Sequence, residues 1–589
     1  MKAQEQSFRF LGQVIRLKIP FFQRQYVWKE DNWEEIFCDL VAAGDKFFGS
    51  IIWKFERATG NAVKTATVID GQQRLTTLSI FLKALADSLP DTHQNKAQEQ
   101  VTAILFYSPN SLSEEKCIKI EHSELDRQRY ESVIRGEKVN AENKEGIIGC
   151  YNYFREKLST LSDDDKATVF KWLTNDDNKM LVVIELNEND DEQKIFDTIN
   201  TAGVHLSVFD IVKNALFAHI LNQTNDITSV SRLHDETFRA TFYNKDRDRT
   251  YWEDEIKIGR LKFDNMEILL HSVAVIKGFY DPDSNRLEQL SSLYKEYIKG
   301  LTSDALTKDF IKEICEYAKL YRERFMPIGD KHPLGYNDAF SRLRHILEKA
   351  DISVFNPYLL RLVKVLEDTP EANKKTAETE FENKCKELEI YVMRRFINGD
   401  ETKSYNKLCK GLLSNNALPA SPDDTQISQS LRAISNKRAA LVLFWIELYR
   451  RQDKNFDITS LNYGYTLEHI MPQTWEDYWN LTQLPGESED NFQKRKSIRS
   501  EAIYAIGNMT LLKGGLNSSV SNYELARKID AGSSVRNDIR RCGDLTITKE
   551  IISEYDKAKN SGAEYIWDET KIETRTKNIE GEFFALWPS

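Results

Sequence analysis

A chain of 589 residues is too long for one hydrophobic core and implies two or three domains, which excludes a single small binding module. Hydrophobic residues at 41%, charged residues at 29%, and 25 Gly with 13 Pro fit a packed globular protein and exclude a collagen-like or low-complexity chain. A net charge of −11 argues against nonspecific coating of nucleic acid, yet Asn491 to Glu550 holds eleven Lys or Arg against six Asp or Glu; that end either approaches phosphates or is a solvated helix surface.

The first domain, residues 1–217, mixes strand and helix signals. Phe47 to Phe55 (FFGSIIWKF) and Thr65 to Ile69 (TATVI) are short and rich in β-branched and aromatic residues, which predicts strands joined by a loop through Thr59, Gly60 and Asn61. Asp70-Gly71-Gln72-Gln73-Arg74 follows directly, and Leu75 to Leu85 then repeats apolar residues at helical spacing, so the polar cluster sits at a strand-to-helix turn. Asp191 to Ile199 predicts a helix and Thr201 to Leu206 a turn. Ser207 caps a second helix with Val208, Ile211, Val212, Leu216 and Ile220 on one side.

From 218 to 452 strand signals fade. Met266 to Ile276, Leu287 to Ile298, Phe310 to Phe325, Ala339 to Ala350 and Ala377 to Phe396 carry apolar spacings of three and four, which predicts an all-helical middle domain with no solenoid period. Asp453 to Gly464 is polar and turn-rich, a linker candidate, and a third domain spans 453–589. Apolar runs such as Leu181 to Ile184 and Ala439 to Ile446 fall short of the roughly 18 to 20 residues of a membrane helix, and the first ten residues carry no apolar signal segment, so a cytoplasmic location with no membrane partner is expected. The seven cysteines are never closer than 24 positions, which excludes paired zinc or redox motifs and predicts buried free thiols.

Three clusters can carry chemistry. Free N–H groups at a helix start favour an anion, and Asp70, Gln72, Gln73 and Arg74 surround that point with a carboxylate, two amides and a guanidinium; the alternative is a plain turn capped by Asp70, with Arg74 paired to a surface acid. Pro20 to Trp28 (PFFQRQYVW) interleaves Gln23, Arg24 and Gln25 with aromatics, a composition that can stack a nucleotide ring or form the edge of an aromatic core. Tyr465 to Pro472 (YTLEHIMP) reads as one strand of a hairpin, and its His469 is the only histidine after His345, hence the natural neutral-pH base of the last domain. Asn508 and Asn517 follow, nine residues apart. A carboxylate at Glu468 and a later amide oxygen can hold one hard divalent cation while the imidazole deprotonates water, a one-metal nuclease constellation.

FQRQYVW, FFGSIIW and VIDGQQRLTTL, with Ile195 to Ser207 and Asp210 to Asn214, resemble the DUF262 domain, which has a ParB-like nucleotide-hydrolase fold. LEHIMP, IGNMTLL and Asn517, with Asn522, Lys528 and Trp567 beyond, resemble the DUF1524 domain, a ββα-metal (HNH) endonuclease. The pairing is similar to fused GmrSD-type, modification-dependent (type IV) restriction endonucleases, with SspE-type phosphorothioate-sensing nucleases as close relatives. The resemblance implies an α+β multidomain protein of antiphage defence. Gln23, Arg24, Asp70, Gly71, Gln72, Gln73 and Arg74 would form an NTP site, for GTP, ATP or another nucleotide, where Asp70 and Arg74 serve hydrolysis. His469 would be the general base, Glu468 and Asn517 ligands to Mg²⁺ or Mn²⁺, and Asn508 the residue that holds the hairpin and His469 in place. Many relatives carry His at the position of Asn517, and Tyr is frequent at that of Phe22. The implied substrate is double-stranded phage DNA with hydroxymethylated, glucosylated or methylated cytosines, cut by a homodimer in a prokaryotic cytoplasm. The alternatives are a phosphorothioate-sensing nicking nuclease and a non-catalytic sensor of DNA modification.

Overall fold

Short apolar runs rich in Ile, Val and Trp supply the strands of the first unit, and longer runs with period near 3.6 supply the helices around them. The structure, a computed structural model, describes residues 2–13, 16–20, 23, 25–42, 46–55, 65–108, 116–186, 207–243, 251–258, 261–326, 328, 332–452, 456–514, 522–532 and 537–589. The chain divides into two units, one of Met1–Ala240 with Tyr294–Ile311 and one of Thr241–Leu293 with Lys312–Ser589. The helical segment 218–452 thus contributes to both.

Six strands of the first unit form one mixed sheet: β1 (Lys2–Gln6), β2 (Arg16–Lys18), β3 (Ser50–Phe55), β4 (Thr65–Asp70), β5 (Ile120–Glu121) and β6 (Leu181–Leu186). Their order is β1-β6-β3-β4-β2-β5. β3 runs antiparallel to β4 and parallel to β6, while β2 runs parallel to both β4 and β5. The strand expected from Phe47 begins only at Ser50, because Gly49 takes a positive φ of 99° that interrupts the extended backbone. Helix α1 (Glu30–Val41) precedes β3, and α2 (Gln72–Ala86) leaves β4 directly. The helix expected from Leu75 to Leu85 is present, and every residue from Leu75 to Ala86 is buried, so α2 is a central helix. Its hydroxyls are satisfied internally: Thr76, Thr77 and Ser79 each donate to a carbonyl one turn back. Phe81 packs edge-on against Phe154 of α3 (Gly146–Ser159), with Phe37 of α1 beside both. Ser207 caps α4 (Val208–Thr224), as its position predicts, its hydroxyl accepting from the Asp210 N–H. The helix expected at 191–199 and the turn at 201–206 lie outside the described residues.

The second unit corrects the all-helical reading of the middle segment. β7 (Glu255–Ile258) pairs antiparallel with β8 (Leu261–Asp264), where IKI and LKF alternate at the strand period; the long helical pattern of the next segment, α5 (Asn265–Lys277), hid that short signal. β9 (Pro333–Gly335) pairs with β10 (Ser460–Asn462), so 460–462 is a strand and not a free linker. Helices α6 (Ala339–Lys349), α7 (Lys374–Asn398) and α8 (Asn436–Arg450) match the predicted periodicity. The hairpin of β11 (Tyr465–His469) and β12 (Met509–Lys513) follows, with α9 (Glu489–Ala502) in its connection. Then come α10 (Leu525–Ile529), α11 (Thr546–Asn560) and α12 (Glu569–Leu586). Of the seven free cysteines five are buried, whereas Cys38 is exposed and Cys117 half-buried.

A buried ionic cluster holds α12 to the middle helices. Glu389 of α7 accepts from Arg342 Nε of α6 through both carboxylate oxygens, at 2.8 and 2.7 Å, and from the Trp587 indole at 2.8 Å. Arg394, also without exposure, donates to the Pro422 and Trp587 carbonyls and to Asp424. Burial drives the Glu389 carboxyl upward in pKa, and the Arg342 guanidinium opposes that shift. Arg342→Met, which strands the carboxylate, is expected to lower the unfolding free energy of this unit by about 3 to 5 kcal/mol in urea titration, and Arg342→Met with Glu389→Gln to recover part of it.

Candidate functional sites

The first site grows from the corner between β4 and α2. Asp70 ends the strand, and Gly71 takes a positive φ of 92° as the residue before the helix. A Cβ there would stand 3.0 Å from both the Ser50 carbonyl oxygen and Ile51, so only glycine makes this turn without displacing β3. Gly71 rather than Asp70 therefore occupies the cap, and no side chain caps the start of α2.

The two glutamines of this corner bind backbone. Gln73 accepts from the Val27 N–H and donates to the Gln25 carbonyl, both at 3.0 Å, while Gln23 Nε2 donates to the Val68 and Ile69 carbonyls at 2.9 and 3.3 Å. Together they tie Gln23, Gln25 and Val27 to the strand-to-helix turn. Arg74 donates to the Ser50 carbonyl at 2.8 Å and lies 3.8 Å from Asp70 Oδ2, each side chain about a quarter exposed. Gln72 is half-buried and engaged in interactions of its own. Asp70, Gly71, Gln72, Gln73, Arg74 and Gln23 thus come together, and Arg24, with Phe21 and Phe22, lies outside the described residues. Tyr26 belongs to the core: its hydroxyl lies 2.6 Å from Thr77 Oγ1 and accepts from the Trp33 indole. The aromatic run is, at that residue, a core edge and not a stacking platform.

Sequence reasoning missed His122, which supports α2 one turn beyond this corner. The Thr76 hydroxyl gives its proton to the Gln72 carbonyl and accepts from His122 Nε2 at 3.2 Å. Burial, with Arg127 nearby, pushes the imidazole down from 6.5 to about 3. The folded state therefore refuses a proton that the unfolded chain accepts below pH 6.5, so stability is full above that pH and falls as pH drops toward 3. Urea unfolding at pH about 7 and about 4.5 should show a shallower loss for His122→Gln than for wild type, by the slope of one proton.

The second site is the end of the β11–β12 hairpin, where Glu468 pairs with Thr510 and His469 with Met509. Asn508 is fully buried and uses its whole amide: Oδ1 accepts from the Met471 N–H at 2.8 Å and the Trp567 indole at 3.1 Å, and Nδ2 donates to the Met471 and Ile503 carbonyls at 2.8 and 3.0 Å. Its own carbonyl accepts from the Ile470 N–H at 2.8 Å. Gly507 lets α12 reach this turn, because a Cβ there would come within 2.2 Å of the Ile572 carbonyl oxygen. Arg575 of α12 then donates to the Gly507 and Met509 carbonyls on either side of Asn508.

The His469 Nε2 is buried and makes no hydrogen bond among the described residues. Burial and the Lys528 ammonium hold the ring down from 6.5 to about 4, so it is uncharged at neutral pH. Lys528 Nζ contacts Glu468 Oε1 at 2.9 Å. Among the described residues no group of three or more His, Cys, Asp or Glu is placed to hold a metal, and Asn517 lies outside them. Of the basic residues between Asn491 and Glu550, Arg495, Arg499, Lys528, Arg540 and Arg541 have carboxylate partners. Lys494, Lys496, Lys513, Arg527 and Lys549 make no ion pair among the described residues. Asn508→Ala strips four hydrogen bonds from the end of the hairpin and should lower the unfolding free energy by about 3 kcal/mol or more, measured by urea titration.

Comparison with known families follows the same two ends of the chain. Residues 8–217 match the N-terminal domain of the GmrSD restriction endonuclease. Residues 422–580 match the C-terminal domain of the GmrSD restriction endonucleases. No curated protein matches the chain at a significant level. The two matches occur in the order that their names require and together span more than half of the sequence: the chain belongs to the GmrSD restriction endonucleases and is a DNA endonuclease.

Proposed function

We propose that this endonuclease is of type IV: it cleaves foreign, modified DNA, and nucleotide bound in the first unit controls the cut. The observation that carries the reading is the state of His469, an uncharged imidazole with an unpartnered Nε2, fixed beside a carboxylate at the end of a tightly braced hairpin. In this reading the centre is of the ββα-metal (HNH) kind. Water attacks the phosphorus, His469 takes the water proton at Nε2, and the bridging P–O bond breaks, its leaving oxygen taking a proton from solvent to become a hydroxyl. A hard divalent cation, Mg²⁺ or Mn²⁺, suits an oxygen donor set of Glu468 and Asn517 and when bound would stabilise charge on the phosphate. Lys494, Lys496, Lys513, Arg527 and Lys549 leave positive charge for DNA phosphates in an otherwise acidic chain.

Support for the nucleotide comes from the uncapped start of α2, whose N–H groups and dipole favour a phosphate, with Arg74 and Asp70 beside it. Arg74 would neutralise charge on the transferred phosphoryl group, and Asp70 would orient water or a cation. Gln23 and Gln73 act in this scheme by holding the corner, since their amides are spent on backbone. The ParB-like assignment of this domain and a homodimer, which would let single-strand centres make double-strand breaks, belong to the same proposal.

The test is plasmid cleavage with Mg²⁺ or Mn²⁺, with and without GTP or ATP, on unmodified, hydroxymethylated, glucosylated and phosphorothioated DNA. Cleavage confined to modified cytosines and altered by nucleotide is expected; preference for phosphorothioated DNA would turn the reading to a nicking nuclease of that class. His469→Ala should reduce cleavage by about 100-fold or more, and residual activity within tenfold would reject His469 as the base. Arg74→Ala should abolish nucleotide hydrolysis and its effect on cleavage, and leave the Mn²⁺-dependent cut measurable.

A further inference from the structure

Lys528 is the most deeply buried cation near the hairpin, with no exposed side-chain area. Its ammonium has three N–H donors, and three acceptors surround it: Glu468 Oε1 at 2.9 Å, the His469 carbonyl at 2.6 Å and the Ile470 carbonyl at 3.0 Å. Packing alone does not call for such a group, because a buried ammonium is desolvated at a penalty that an apolar chain of the same length avoids. Its three bonds also fall on consecutive residues, the two proposed to act on phosphate and the next one. The Asn508 side chain and carbonyl already fix Ile470 and Met471 from the β12 side. Lys528 fixes the His469–Ile470 and Ile470–Met471 peptide planes a second time and restrains one oxygen of the Glu468 carboxylate.

We propose that Lys528 is a positioning residue of the nuclease centre, which orients the Glu468 carboxylate toward a divalent cation and locks the backbone that carries His469. This rests on the nuclease reading of the hairpin. The residue does not touch substrate; it acts through Glu468 and His469. Supports of this kind, one bond removed from a ligand, typically change metal affinity or activity by about 10- to 100-fold when removed.

The experiment uses the full chain with Lys528→Met, which keeps length and removes the three donors. Mn²⁺ binding is read by electron paramagnetic resonance without DNA, and steady-state cleavage at varied DNA concentration supplies kcat and KM separately. The expected result is a folded protein whose Mn²⁺ affinity falls by about tenfold or more and whose kcat falls by a similar factor, with KM for DNA unchanged. Unchanged or tighter Mn²⁺ binding in folded Lys528→Met overturns the proposal, as does a wild type that binds no Mn²⁺. If Lys528→Met does not fold, Lys528→Met with Glu468→Gln removes the stranded carboxylate and should fold. Its kcat should then lie below that of Glu468→Gln alone by about tenfold, since the two carbonyls have lost their clamp; equal values overturn the proposal. A wild type that binds Mn²⁺ but leaves every DNA uncut rejects the nuclease reading instead, and the Mn²⁺ comparison still decides the role of Lys528 toward Glu468.

Discussion

The amide of Asn508 is the constraint on which the second unit's site depends. It lies one residue before β12 and bonds three separate segments: the end of β11 through Met471, the turn after α9 through Ile503, and the start of α12 through Trp567. An amide has two donor and two acceptor positions, and all four are used. No other side chain of that size offers this combination; aspartate would set an oxygen against two carbonyls, and leucine would take the amide away from two buried N–H groups and two carbonyls. The hairpin is therefore specified by a polar jigsaw rather than by apolar packing alone, and His469 inherits its position from that network.

Buried charge is arranged differently in two of the places where this unit uses it. At Arg342–Glu389 one guanidinium N–H is shared by both carboxylate oxygens, the carboxylate also receives the Trp587 indole, and the cluster secures α12 against α6 and α7. At Lys528–Glu468 the cation is saturated by one carboxylate oxygen and two carbonyls, while the carboxylate side chain is still about one-sixth exposed. The first arrangement closes a core. The second leaves the other Glu468 oxygen outside the Lys528 contact, which is what the proposed role of Glu468 toward a cation would ask for. In the first unit the same contrast separates Gln73, whose amide is spent on the backbone of residues 25 and 27, from Arg74, which has a single carbonyl partner and a distant carboxylate.

What could be read in the sequence follows from range. The β4–α2 turn was legible because a β-branched run stops at Asp70 and helical spacing starts at once, both local signals. The Ser207 cap and the β11 strand were legible for the same reason. The pairing of 460–462 with 333–335 joins segments more than a hundred residues apart and leaves no local trace. Nor does periodicity reveal that α2 is buried all round, because Thr76, Thr77 and Ser79 look polar until their hydroxyls are found bonded within the helix. Lys528 was one of eleven basic residues in a charged stretch, and a lysine is read as exposed unless a partner is known. The separate duties of Gln73 and Arg74 within a single five-residue motif likewise appear only when the neighbouring strand and the backbone of Gln25 and Val27 are in place.

Control of cutting by nucleotide asks more of this architecture than two sites in one chain. The backbone passes between the two units three times, after Ala240, Leu293 and Ile311, so neither unit is a simple bead on a linker. A nucleotide at the α2 corner can influence cleavage only if it binds more tightly to one arrangement of the protein than to another, and DNA must discriminate between the same arrangements. The corner has the features such discrimination needs. Arg74 is held by one carbonyl and stands 3.8 Å from Asp70, a weak restraint that a phosphate competing for the guanidinium would displace. Gly71 and the bonds to Gln23, Gln25 and Val27 fix the surrounding backbone, so the gain from that exchange is not lost in local rearrangement. If nucleotide binds as proposed, the weak Asp70–Arg74 contact is thus the element of the first unit best suited to report it.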